Sequence, residues 1–295
     1  MEVIYEHTDV KRMLHYVNVW FLPFRWGANT YRGCAHNCVY CNARYTHEYL
    51  GLETGEFAHR ILVKDNAAQA LDRELSRLKW KHNLTVNLAT VTDPYQPAEQ
   101  QFHITQQVLN VFLKHHNALM VTTKSDLIVR DLDLLTQISH TGFLNVVITL
   151  PTLNEDLRKR IEPNAPSVEK RLQVIQTLHE AGITTGVTAI PILPYITDRK
   201  EDIHDLIRTI ANHGADYVIV DVLNFRGEVR TRFYEFLKAY DPNLIPQYNK
   251  IYQTNYCTKS YAKRIRQHAN AFIKQYQVND YNKMYSYRKG HSKER

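Results

Sequence analysis

From about residue 84 onward, short apolar runs rich in β-branched residues alternate with longer stretches of helical period, and few architectures accept that alternation. Strands are expected at 85–89, 118–122, 145–150, 185–190 and 217–220, with helices near 67–79, 103–115, 127–139, 168–181 and 203–213. Strands separated by helices form parallel βαβ units. Ser167 is placed as an N-cap, and Gly182 closes the same helix as its C′ residue. A further short strand near 29–32 brings the count to six βα units, too few for a closed eightfold barrel and suited to an open one. The expected fold is therefore α/β, a partial (β/α)6 barrel over residues 1–228, with its chemistry at the C-terminal ends of the strands. After about Arg230 the strand signal stops, and residues 229–295 read as a basic, tyrosine-rich helical extension.

Just after the expected first strand lies NTYRGCAHNCVYCNAR, which sets Cys34, Cys38 and Cys41 in a Cys-x3-Cys-x2-Cys spacing behind Gly33. Cysteines this close make a poor disulfide framework, so metal binding is the better reading. Three thiolates on one tight loop can ligate three irons of a cubane cluster and leave the fourth open to a small chelating molecule. A structural zinc site, with His36 or His47 completing Cys3His, is the alternative, although zinc sites usually pair Cys-x2–4-Cys units. Cys257 stands alone and reads as a half-buried small hydrophobe.

The cysteine spacing, with aromatic Tyr40 before the last ligand, resembles the signature of the radical S-adenosylmethionine (SAM) superfamily. TVTDPYQPAE at 90–99, TTKSDLIVRDLDLL at 122–135, IEPNAPSVEKRL at 161–172 and AIPILPYITD at 189–198 further resemble its spore photoproduct lyase-related, DNA repair photolyase-like branch. The likeness spans roughly residues 25–225. It implies a [4Fe–4S] cluster on Cys34, Cys38 and Cys41 that binds SAM and cleaves it reductively, giving a 5′-deoxyadenosyl radical that abstracts hydrogen from a substrate. It also implies an electron donor such as flavodoxin or ferredoxin. By the same likeness Tyr40 lies near the adenine of SAM, and Lys124, followed by Ser125, reaches its carboxylate or ribose. Thr92 and Asp93 face the methionyl amine or the substrate, and Thr149 and Ala189 hold corresponding positions on the next strands. Glu162 and Arg171 are expected to form a structural ion pair. Spore photoproduct lyase carries a hydrogen-donating cysteine at the position that is Thr90 here, and a hydroxyl cannot donate a hydrogen atom as a thiol does. Repair by that route is therefore not expected.

Charge bears on the substrate. From Arg230 onward there are 14 Lys and Arg against 4 Asp and Glu, whereas the chain as a whole carries only +7. Ten of the nineteen tyrosines share that segment. Basic side chains interleaved with rings suit a phosphate backbone with unstacked bases, so a nucleic acid is the leading substrate class, with Tyr252, Tyr256 and Tyr261 expected to stack. The rival readings are a nucleic-acid binding protein with a structural metal site, and a radical SAM enzyme acting on a peptide or small metabolite. No run is long and apolar enough for a membrane span, and the N-terminus lacks a signal-peptide pattern, so a cytoplasmic protein is expected.

Overall fold

A computed structural model of the chain describes residues 2–19, 22–78, 85–226 and 228–279. Six parallel strands form an open barrel wall: β3 (Trp26–Ala28), β6 (Thr85–Leu88), β7 (Ala118–Thr123), β8 (Leu144–Thr149), β9 (Thr184–Ile192) and β10 (Tyr217–Val222). They lie side by side in chain order, with the two-residue strand β2 (His15–Tyr16) antiparallel at the β3 edge. Helices α1 (Ala67–Arg77), α3 (Ile104–His115), α4 (Leu132–Thr141), α6 (Val168–Glu180) and α7 (Lys200–Asn212) make the return crossings. Because strand and helix alternate, the central strands are covered on both faces, and every residue of β8 is buried. Val86 pairs with Leu119, Val121 with Val146, and Ile148 with Val187, so the wall itself is the core. At Gly186 the Tyr217 ring lies where a Cβ would fall, and its hydroxyl meets the Asn145 side chain at 2.8 Å.

The first barrel strand is Trp26–Ala28, parallel to β6, and not residues 29–32. Tyr31–Arg32, β4, turns away into a separate three-stranded sheet with β1 (Ile4–Thr8) and β5 (Arg60–Lys64). The physical reason is Tyr31, which is fully buried and donates its hydroxyl to Glu99 at 2.5 Å. The helix expected over 127–139 begins late. Residues 126–131 form a 3-10 turn capped by Ser125, and Arg130 within it is held by Glu99 and Asp131, both at 2.8 Å, before α4 starts at Leu132. The first crossing helix ends at Arg77, and the remainder of the expected 67–79 span reaches beyond the described residues. Ser167 caps α6 as expected, accepting from the Lys170 amide.

Beyond the barrel come α8 (Val229–Tyr240), α9 (Leu244–Ile251) and α10 (Lys259–Gln275). Their apolar faces join the barrel core, with Phe233, Leu237, Tyr248 and Ile265 buried in the same cluster as Phe225 and Val218.

Candidate active site

The three clustered cysteines lie on a loop that the rest of the molecule grips from two sides. Gly33 opens it at φ +85°, where a Cβ would strike the carbonyls of Arg60 and Phe57 at 2.8 and 2.9 Å. On one side, Gln96, fully buried ahead of the short helix α2 (Pro97–Phe102), donates to the Gly33 carbonyl at 3.0 Å and accepts from the Ala35 amide at 2.9 Å. Thr92 donates to the same Gly33 carbonyl at 2.5 Å. On the other side, the IEPN segment follows helix α5 (Glu155–Ile161). The Ile161 carbonyl accepts from the Val39 amide at 2.9 Å, Asn164 donates to the Ala35 carbonyl at 2.8 Å, and Glu162 accepts from the Tyr40 hydroxyl. Arg171 of α6 pairs with Glu162 at 2.5 Å, both fully buried, and donates to the Thr149 carbonyl at the end of β8. The expected Glu162–Arg171 pair thus ties the cysteine loop to the barrel mouth.

That loop closes one side of a cavity of about 430 Å³. Its lining includes Cys34, Cys38 and Cys41, with Thr90–Asp93 after β6, Thr122–Lys124 at the end of β7, Thr149 from β8, Pro191 from β9 and Asn224 beyond β10. These are the C-terminal ends of the parallel strands, where such sheets carry their sites. Cys34 and Cys38 are buried and Cys41 is half-buried. Burial raises the Cys34 thiol pKa well above its usual value, helped by Asp93 and the neighbouring thiols. Burial likewise pushes Cys38 up to about 12, Lys124 opposing and Glu162 and Cys41 reinforcing. Burial of this kind keeps the Cys34 and Cys38 thiols protonated unless a cation lies beside them, which iron would supply.

Lys124 is the cavity's half-buried lysine. Burial works against its charge, but Cys38 and Glu162 outweigh that and hold its pKa above the lysine norm. Its ammonium lies 5.7 Å from the centre of the Tyr40 ring. Asp93 has a different part. Its carboxylate accepts from the Tyr95 amide at 2.9 Å, the Thr123 hydroxyl at 2.6 Å and the Lys124 amide at 2.8 Å, with His36 3.3 Å away. Burial alone would raise it, yet His36 and those donors bring its pKa down to about 2. Asp93 therefore locks the end of β7 to the cysteine loop.

Tyr40, Thr92, Asp93, Lys124 and Thr149 come together around this cavity. Ser125 is not in its wall, because its hydroxyl caps the following turn. Ala189 is fully buried, and its neighbours Thr188 and Ile190 line the cavity in its place. Each histidine weighed as a zinc ligand has a neighbour in place, although the His47 Nδ1 is buried without a hydrogen-bond partner. His36 faces Asp93, and the His47 ring pairs with the Arg60 carbonyl at 2.9 Å. Among the described residues no three His, Cys, Asp or Glu groups converge on a single metal ion.

Three contributors escaped the sequence reading. Gln96 lies inside a segment singled out for its neighbours, and a glutamine just before a helix-starting proline carries no signal by itself. Arg44, three residues after the last cysteine, and Arg232 of α8 both donate to the Asn37 side chain at 2.7 Å. Burial, and for Arg44 the neighbouring Arg232, lowers their pKa values, while the cysteines counter it. A charged residue on so tight a loop was a signal for Arg44, whereas Arg232 is adjacent only through the fold.

The basic segment departs from expectation. Tyr252 is 2% exposed and donates to the Leu223 carbonyl, while Tyr261 is 9% exposed and donates to Asp198, so both are core residues and cannot stack on bases. Tyr256 is exposed, but its hydroxyl accepts from Arg226 at 2.7 Å. Arg266 pairs with Asp221 at 2.9 Å and Arg264 lies 3.6 Å from Asp198, which leaves Lys259 and Lys263 as the exposed cations at the start of α10.

A parallel barrel whose strand ends meet a three-cysteine loop defines a class of enzyme, and comparison with known proteins gives it a family. Residues 28–210 match the radical SAM superfamily, and the chain belongs to it. It is a radical SAM enzyme. An uncharacterised protein of Mycobacterium tuberculosis is 35% identical over 259 residues, covering 87% of this chain and 76% of that one. A radical SAM Nα-GlyT isomerase of a Pseudomonas phage is 26% identical over 132 residues, covering 45% of this chain and 27% of its own. Spore photoproduct lyase, solved as a variant with AdoMet and dinucleoside spore photoproduct, has the same fold, with TM-score 0.69 at 14% identity over 93% of this chain and 79% of that one. No helix among the described residues is long and apolar enough to cross a membrane.

Proposed function

We propose that Cys34, Cys38 and Cys41 hold a [4Fe–4S] cluster, and that the enzyme cleaves SAM to abstract hydrogen from a nucleic-acid substrate. The observation that carries this reading is the cavity itself, where three thiols and one half-buried lysine meet at the strand ends. When bound, the cluster supplies the electron that splits SAM into methionine and the hydrogen-abstracting 5′-deoxyadenosyl group. The chain's own residues do the rest. Lys124 offers its ammonium to the SAM carboxylate, and Tyr40, Thr92 and Thr149 bound the volume left for the nucleoside. Asp93 acts by position, since its oxygens are already engaged. Ser125 and Ala189 act only by shaping their strand ends. Three thiols in the wall of one cavity are the set that a cubane cluster with one open iron uses, and this favours a cluster over a lone zinc ion. The substrate class is supported by the dinucleoside bound to spore photoproduct lyase. Thr90, at the position of that enzyme's hydrogen-donating cysteine, supports a different outcome for the substrate radical.

Iron and sulfide analysis of anaerobically prepared protein, followed by dithionite reduction with SAM, tests the reading. Wild type and Cys257→Ala should carry the cluster and release 5′-deoxyadenosine even without substrate, whereas Cys38→Ala should lose both. A fully loaded cluster that releases no 5′-deoxyadenosine above the Cys41→Ala background would overturn it.

A further inference from the structure

The structure holds a concavity larger than the cofactor cavity. A groove of about 740 Å³ runs beside it and shares Thr90, Val91 and Thr122 with it as a common wall. That volume suits a small-molecule or nucleotide ligand. The groove is built by residues 12–64 and the edge of the barrel, from segments outside the basic extension. Its charged lining is Arg12, Arg32, Lys64 and Arg226, with no carboxylate among them. Arg12 and Arg32 have no ion-pair partner among the described residues. An uncompensated row of cations beside an active site selects a polyanion.

Rings complete the pattern. Tyr16, Tyr45 and Tyr49 line the groove at 59%, 39% and 74% exposure, and they are half of the exposed tyrosines among the described residues. Tyr45 and Tyr49 meet edge to face at 5.7 Å. Exposed rings among unpaired cations are the composition that binds unstacked bases along a phosphate backbone. Thr90 stands in the wall common to the groove and the cofactor cavity. Its hydroxyl is 2.9 Å from both His15 Nε2 and Asn29 Nδ2, and the approach exists because residue 27 is glycine, where a Cβ would strike both His15 and Thr90.

We infer that this groove is the substrate path: a single-stranded nucleic-acid segment lies along it, bases on Tyr45 and Tyr49 and phosphates on Arg12, Arg32 and Lys64, and delivers one nucleotide past Thr90 to the cofactor cavity. The inference rests on the proposed reading of that cavity and reassigns strand binding from the C-terminal extension to the N-terminal segment.

Fluorescence anisotropy of a labelled single-stranded oligodeoxynucleotide, and of the matching oligoribonucleotide, on the full-length reconstituted enzyme tests it. Tyr45→Ser/Tyr49→Ser should weaken binding of at least one strand by about tenfold or more, and Tyr45→Phe/Tyr49→Phe should restore it, because stacking uses the ring. Arg12→Gln/Arg32→Gln should reduce the log–log salt slope by about 1.4, at roughly 0.7 per lost phosphate contact. Lys259→Gln/Lys263→Gln on α10 should leave affinity within about twofold. The groove is overturned if the serine and glutamine pairs bind as wild type does, if the α10 pair carries the loss instead, or if wild type binds neither strand. Uncoupled release of 5′-deoxyadenosine, measured on every variant, is expected to stay at the wild-type level. Its absence from a loaded wild-type enzyme would instead sink the reading of the cofactor cavity, whatever the oligonucleotides do.

Discussion

Glu162 is an anion at the centre of the molecule that is tolerated only because Arg171 and the Tyr40 hydroxyl neutralise and bond it. Removing one partner of such a pair costs more than the pair itself contributes, because the survivor stays charged and buried. Arg171→Met should therefore destabilise the protein by about 3–5 kcal/mol in urea unfolding. Arg171→Met/Glu162→Met should recover much of the loss. Behind the same loop, Arg44 and Arg232 share one acceptor and have no carboxylate within ion-pair distance among the described residues, an arrangement that suits a neighbour gaining negative charge. With a cluster in place, Arg44→Gln should lower its reduction potential by tens of millivolts while iron content holds, read from a redox titration followed by electron paramagnetic resonance. An unchanged potential would leave the two arginines a purely structural role.

At the scale of elements, the barrel strands from Thr85 onward were legible because they are mostly buried and so read as short runs rich in apolar and β-branched residues. β5 was not, since Arg60 and Lys64 flank a core of only three apolar residues and half of its side chains face outward. β1 and β3 are short strands whose pairing depends on strands far along the chain. That the three clustered cysteines share one loop was legible because their spacing is local. The clamp on it was only partly so, as Gln96 acts across 61 residues to reach Ala35. Gln96→Leu should leave the fold cooperative but lower iron bound per chain on reconstitution, because the loop would lose both of its hydrogen bonds to Gln96 and keep only Thr92 on that side. β5 also carries a titration. Burial, with Arg32 beside it, brings Lys64 down to about 8. A base whose pKa is lower in the folded chain is penalised wherever both states are protonated, below about 8, and the penalty fades as pH rises toward the ordinary lysine value. The stability of wild type relative to Lys64→Met should accordingly improve between pH 8 and pH 10.5 in thermal melts, and a flat difference would place Lys64 in water.

Whole-molecule charge was the least reliable guide. The excess of base after Arg230 is real in the sequence, but much of its aromatic content is spent on packing. Phe225, just beyond the last strand, is ringed by Phe233, Tyr234, Tyr248 and Tyr252, with centroids from 4.4 to 6.4 Å. The Tyr252 hydroxyl donates to the Leu223 carbonyl and the Tyr248 hydroxyl to the Pro194 carbonyl, so the extension satisfies backbone groups that the barrel leaves open. Across this boundary there is one continuous core, and the barrel should not fold to its native stability without α8 to α10. Phe225→Ala, which empties the centre of that ring cluster, should cost about 3–5 kcal/mol in chemical denaturation. A chain ended after residue 228 should lose the single cooperative transition of the full protein. If it melted cooperatively near the wild-type midpoint, the extension would be a separate unit resting on a self-sufficient barrel. The buried tyrosines of α9 and α10 would then need another explanation.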